Sequence, residues 1–358
     1  MLAKEFNFDK FRFLQEEKDN NLKKFLTGEK RFVPVIQRSS KAMYERAICR
    51  YRNKSLENQL DCLNDYFYLK SDFLFSYLEP WHGVGVYASA FGCPFIWYEH
   101  DAPQTLHIYS NLNEVLKFKA PNIKDCEVMN MILETIKYFR NETGGMLDIS
   151  ATDTQSPVDN ASLIMDACEF FAEAFIEPEP LHPFMQSITD TIIEFTHMQQ
   201  EVAGPALVGP GHIMPSLRGG CGIAISDDNL AIMDPKSYNN LAVPYNNQLS
   251  DEFSGIAVHS CGAIEKVMNV LLNTHNLTMI DCAVGQKVDP NPSDPEKIKE
   301  ALKGSGVTLK ARLRYDELHR LNHLIDKDIK LIVELFTEGT IDEKNAQWES
   351  AKEYISNI

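Results

Sequence analysis

The chain has no apolar run long enough to cross a bilayer. Its longest, such as Phe73–Leu78 and Pro205–Val208, fall far short of the ~20 residues a spanning helix requires. It has no excess of basic charge either. Of 358 residues, 51 are acidic and 35 basic, a formal charge of −16 that repels nucleic acid and anionic membrane surfaces and excludes both as first partners. Behind Met1 there is no apolar core of signal-peptide length, so a cytoplasmic protein is expected. There is no Cys-x-x-Cys pair. The eight cysteines, in a reducing compartment, read as buried thiols or metal ligands rather than disulfides. Gly-x-Ser-x-Gly and Gly-x-x-x-x-Gly-Lys-Ser/Thr are both missing, which excludes the serine hydrolases and P-loop nucleotidases that depend on them. No internal repeat, low-complexity tract or Gly/Ser-rich linker divides the sequence. One domain over 1–358, with a helical extension at about residues 1–30, is the economical reading.

What is present is a core-forming composition, 44% hydrophobic. Short apolar runs at Phe32–Ile36, Phe73–Leu78, Met146–Ser150, Gly222–Ser226, Gly255–His259, Thr278–Cys282 and Val307–Leu313 alternate with longer helical patterns. Continuous apolar strands of this kind read as buried parallel sheet. Asp234-Pro235 sets an N-cap before a first-turn proline, and Thr340-Ile-Asp-Glu343 is a capping box for a last helix. Leu318, Leu321, Ile325, Ile329, Ile332 and Leu335 recur at three- and four-residue steps, which predicts a helical face. The alternation fits an open doubly wound sheet or a (β/α)8 TIM-type barrel. An open sheet wants a glycine loop joining strand directly to helix, and Gly83-Val-Gly85 does not do this because Glu79-Pro-Trp-His82 intervenes. The TIM-type barrel is therefore favoured, with an atypical closure at its C-terminal strand.

The sharpest chemical feature is His259-Ser-Cys261-Gly262 at a strand end, where barrels keep their active sites. Side chains two apart share a strand face, so imidazole and thiol project together. Cys282, ending the next strand, would complete a three-ligand zinc set with an open fourth position, and Cys221 among glycines is its rival. Asp228 closes another strand and Asp72 opens one; both are candidate catalytic acids. Arg38 follows the first strand and suits a substrate carboxylate. The glycine-bordered stretch from Pro210 to Gly220 has the make-up of a lid, with His212 and Arg218 as its substrate-binding members. Each residue also has a plainer reading. Buried free Cys is an ordinary core residue, Asp72 and Asp228 suit caps and turns, and Arg38, His212 and Arg218 suit surface pairs and loops.

Taken in order, these pieces resemble the uroporphyrinogen decarboxylase family, which includes zinc-dependent corrinoid methyltransferases. The matching stretches are Leu78-Glu-Pro-Trp-His-Gly-Val-Gly85, Asp153-Thr-Gln-Ser-Pro157, Glu177-Pro-Glu-Pro-Leu-His182, and Asp227-Asp228 through Asp234-Pro235, Tyr238 and Pro244-Tyr245 to His259-Ser-Cys261-Gly262. The resemblance implies a barrel with its site at the strand C-termini. The family's decarboxylases carry an Arg-Gln-Ala-Gly-Arg signature whose arginines hold porphyrinogen carboxylates; here the place reads Val35-Ile-Gln-Arg38-Ser, with one arginine. The methyltransferase branch holds zinc through His-x-Cys and a later Gly-Cys-Gly. His259 and Cys261 match the first part and Cys282 stands in for the second. The resemblance thus implies a methyltransferase that uses one zinc per chain and moves a methyl group between a corrinoid, carried on a partner protein, and a thiol-type acceptor. The alternatives are a tetrapyrrole decarboxylase, with Asp72 and Arg38 at its centre, and a non-catalytic tetrapyrrole, corrinoid or metal binder. A homodimer is expected by family analogy.

Overall fold

A computed structural model describes residues 1–29, 32–39 and 48–358. Its wall is built from β1 (Val35–Gln37), β2 (Tyr77–Leu78), β3 (Asp148–Ile149), β4 (Val208–Gly209), β5 (Ile223–Ser226), β6 (Ile256–Ser260), β7 (Leu277–Ala283), β8 (Thr308–Arg314) and β9 (Lys330–Phe336). Six of these form one parallel sheet in the order β1-β9-β8-β7-β6-β5. Beyond β5 the wall continues through single parallel bridges, Gln155 to Ser226 and Ile149 to Leu207, and β3 pairs with β2. The stretch entering β2 returns to the first strand, where the Asp72 amide donates to the Val35 carbonyl at 3.1 Å. This is the TIM-type α/β barrel expected from the sequence, with its irregular strands in the N-terminal half.

All seven strands expected from the sequence overlap strands of the barrel. The closure is regular, which corrects the helical reading of its last segment. Leu318–His323 is a short 3-10 helix, whereas Ile332 and Leu335 lie in β9, paired along its length with β8 and bonded to β1. The capping box at Thr340 and Glu343 is formed, and it opens the helix Ile341–Ser356.

The interior is built in two levels. Ile36, Ala224, Ala257, Met279 and Ile332 belong to one apolar cluster with Phe73, Phe75 and Met214, sealed by Leu22 and Phe25 of the N-terminal helix Phe8–Leu26. Two residues further along each of those strands, on the same face, stand Arg38, Ser226, His259, Asp281 and Glu334. The base of the barrel is therefore an apolar plug, and its C-terminal end is polar.

Candidate active site

Strand register builds the polar level. Asp281 lies between His259 and Lys310 in the sheet, and Glu334 lies between Arg312 and Ile36. Asp281 takes a hydrogen bond from His259 Nδ1 at 2.5 Å and ion pairs from Lys310 at 2.7 Å and Arg312 at 3.1 Å. Lys310 also pairs with Glu334, and Glu334 with Arg38, so a run of alternating charge crosses from β6 to the end of β1. Burial pushes the Asp281 carboxyl up, but Arg312 and Lys310 outweigh it and hold the group well below the usual carboxylate range. Burial lowers His259 against the pull of Asp281. The Nδ1–H is thus committed to Asp281, and the Nε2 lone pair is turned away from it.

Nε2 faces two further donors. Cys261 Sγ stands 3.6 Å from it and Asp228 Oδ1 3.8 Å. Among the described residues, Asp228, His259 and Cys261 are the one group of three His, Cys, Asp or Glu side chains whose ligand atoms converge, all within 4.8 Å of one another. The turn carrying Asp228 is pinned from beneath. Buried Asp159 accepts from the amides of Asp228 at 2.8 Å and Asn229 at 3.0 Å, and the Asp227 amide donates to the His259 carbonyl at 2.8 Å. Asp227 itself accepts from the Tyr238 hydroxyl at 2.7 Å. Burial first, and then Asp228, push the Cys261 thiol up to about 11, so it needs a cation to ionise near neutral pH.

His212 forms the facing wall. The stretch expected as a lid folds inward instead: His212, Ile213, Met214 and Ser216 are buried. His212 and Ile213 take left-handed backbone angles, φ 21° and 43°, which are uncommon for any side chain and an outlier for a β-branched one. The turn is held by the Gly211 amide donating to Ser216 Oγ and by the Tyr77 hydroxyl on the Met214 carbonyl. It presents His212 Nδ1 to Glu79 at 2.9 Å and Nε2 towards Asp153 at 3.6 Å. Burial lowers His212, yet Asp153 and Glu79 together raise it to about 9. Asp153 is further held by Ser226, Gln155 and Trp81.

Of the remaining candidates, three lie elsewhere. Cys282 follows Asp281 and so points to the opposite face, fully buried, with its thiol pushed up to about 12 by burial. Arg218 sits at the barrel base, paired with Asp148 and bonded to the Met146 carbonyl at 3.2 Å. Asp72 accepts from the Val35 amide at 2.7 Å and pairs with Lys352 of the last helix at 2.8 Å. It staples that helix to β1, away from the cluster. Arg38 is at the polar level, over the Phe75 ring and paired with Glu334. Sequence reasoning passed over Glu79, Lys310, Arg312 and Glu334. Their signal was charge inside apolar strands, as in Thr308-Leu-Lys310-Ala-Arg312, where alternation puts both cations on one face.

Residues 82–210 match the family model of Uroporphyrinogen decarboxylase (URO-D). No curated protein matches the sequence. Among solved structures, a methyltransferase from Methanosarcina mazei has the same fold, with a TM-score of 0.65 and 15% identity over 94% of this chain and 99% of its own. Among the described residues no helix is long and apolar enough to cross a membrane. The resemblance drawn from the motifs is borne out: this chain is similar to the uroporphyrinogen decarboxylase family, on a fold that a methyltransferase also has.

Proposed function

We propose that this chain is a metal-assisted methyltransferase that moves a methyl group between a corrinoid on a partner protein and a thiol-type acceptor. The observation that carries the reading is the convergence of His259 Nε2 and Cys261 Sγ, 3.6 Å apart, at the C-terminal end of β6. A nitrogen and a sulfur donor suit zinc. When bound, such an ion lowers the pKa of a coordinated thiol and so supplies a nucleophile at neutral pH.

The protein's own groups have definable parts. Asp281 holds His259 in one tautomer and aims its lone pair at the site. Cys261 and Asp228 are exposed towards the barrel mouth, so a bulky methyl donor can approach from that side. His212, held by Glu79 and beside Asp153, gives the acceptor a polar wall. Arg38 anchors an anionic group of the substrate at the other side of the mouth. A metal-free decarboxylase would lean on Asp72, which is engaged with Lys352 and the Val35 amide.

The test is transfer. Zinc-loaded protein is incubated with methylcobalamin and a panel of thiols, with loss of the methylcobalamin spectrum and formation of the methyl thioether followed together. No thioether with any thiol, together with decarboxylated products from uroporphyrinogen in a parallel incubation, would replace this reading with the decarboxylase one.

A further inference from the structure

We infer that Asp228, rather than a second cysteine, completes the metal site, so that the ion is bound by one nitrogen, one sulfur and one oxygen. This rests on the metal part of the reading above and fixes the ligand set it leaves open.

Ordinary zinc bond lengths and a tetrahedral angle put a nitrogen and a sulfur ligand about 3.6 Å apart, and a nitrogen and an oxygen about 3.4 Å apart. His259 Nε2 stands 3.6 Å from Cys261 Sγ and 3.8 Å from Asp228 Oδ1. Both spacings match one ion, and all three donor atoms lie within 4.8 Å of one another. The Cys261 amide already donates to Asp228 Oδ1 at 2.8 Å, which fixes the carboxylate beside the thiol. Asp159 holds the backbone of the same turn through two amides.

The sulfur alternatives are out of reach: Cys221 precedes β5, at the end of that strand opposite Asp228. Register pairs Asp281 with His259, so Cys282 faces outward, and bringing it in would turn Asp281 away from His259. After β9 the chain reads Thr337-Glu338-Gly339, without a thiol, and Glu338 is bonded to Arg314 and Tyr315.

A carboxylate and a thiolate balance the charge of a dication as two thiolates would. The oxygen donor makes the site harder, which suits Zn²⁺ or Co²⁺ and weakens selection for purely thiophilic ions. The Asp228 side chain is half exposed, so the fourth position opens to the mouth.

The experiment uses the full chain, stripped with chelator and titrated with Zn²⁺ by calorimetry and with Co²⁺ by absorption. One equivalent should bind, and the cobalt form should show a thiolate charge-transfer band with the intensity of a single sulfur ligand. Cys282→Ser should leave affinity and band unchanged, while Cys261→Ser should abolish the band. Asp228→Ala should weaken binding by at least about 100-fold, at or beyond the loss usual for an outer-shell partner. Asp228→Cys should restore binding and raise the band to two-sulfur intensity. Thermal melts of the metal-free variants identify any that fail to fold. Loss of half the band in Cys282→Ser, unchanged affinity in a folded Asp228→Ala, or no metal bound by the wild type would each overturn the assignment. If metal binds in this way and no methyl group moves, the proposed reaction falls while the ligand set stands.

Discussion

His212 and His259 meet edge to face, ring centroids 6.1 Å apart at 76°, although one comes from the turn after β4 and the other from β6, with opposite electrostatic settings. Burial keeps His259 below its ordinary pKa despite Asp281, whereas Asp153 and Glu79 overcome burial and raise His212. One imidazole is suited to ligation and the other to charge.

Removing the charged one should be costly. In His212→Ala, Glu79 and Asp153 lose the cation they share, and breaking a buried pair in this way costs about 3–5 kcal/mol. Chemical denaturation at pH 7 reads the loss. A variant within about 0.5 kcal/mol of wild type, the usual range for surface substitutions, would show that the two carboxylates need no counter-charge.

Lys310 should matter as much. It is fully buried between Asp281 and Glu334. Lys310→Met keeps most of the volume and removes the charge, with an expected loss of about 3–5 kcal/mol. Adding Glu334→Gln should recover part of it, and a double-mutant cycle in urea measures the coupling directly. Simple additivity would mean the two residues do not share one network.

Asp72 should prove structural. Asp72→Ala removes the acceptor of the Lys352 and Val35 bonds and should cost about 1.5–3 kcal/mol, the range for hydrogen bonds to charged groups. Zinc stoichiometry should not change. A full loss of activity in a variant of unchanged melting temperature would return Asp72 to the chemistry.

The base of the barrel should give a pH signature. Asp19, on the N-terminal helix, is raised from 3.8 to about 7, first by burial and then by Asp148, against the opposing pull of Lys23 and Arg218. The unfolded chain releases this proton near 3.8, and the folded chain keeps it to about 7. Between those values the folded state binds more protons, so stability falls as pH rises through the window and levels off above it. Asp19→Asn should remove that decline. Melting temperatures of both proteins from pH 5 to 8 should diverge with rising pH, and parallel curves would contradict the assignment.

Much of the fold was legible, because barrel strands buried on both faces announce themselves as apolar runs. The same property hid β9. Leu331-Ile-Val-Glu-Leu335 shows no alternation, and Ile325, Ile329, Ile332 and Leu335 happen to fall at helical steps. At the site, His259 and Cys261 were legible because they are two apart on one strand. Asp281, Lys310, Arg312 and Glu334 come from three strands, and only register makes them neighbours. Register also decides Cys282: once Asp281 is opposite His259, the next residue must face outward. His212 was legible as chemistry but not in place, since nothing in its glycine-bordered stretch indicates an inward turn.

The apolar plug beneath the polar level makes the chamber a blind cup. Among the described residues Phe25, Phe73 and Phe75 stop its floor, which leaves the rim for solvent, substrate and product to share. A large donor seated across that rim would shut in whatever already lay inside. For the reaction proposed, order then follows from shape: the small acceptor enters first, the carrier covers it, and the carrier must lift away before the product can leave.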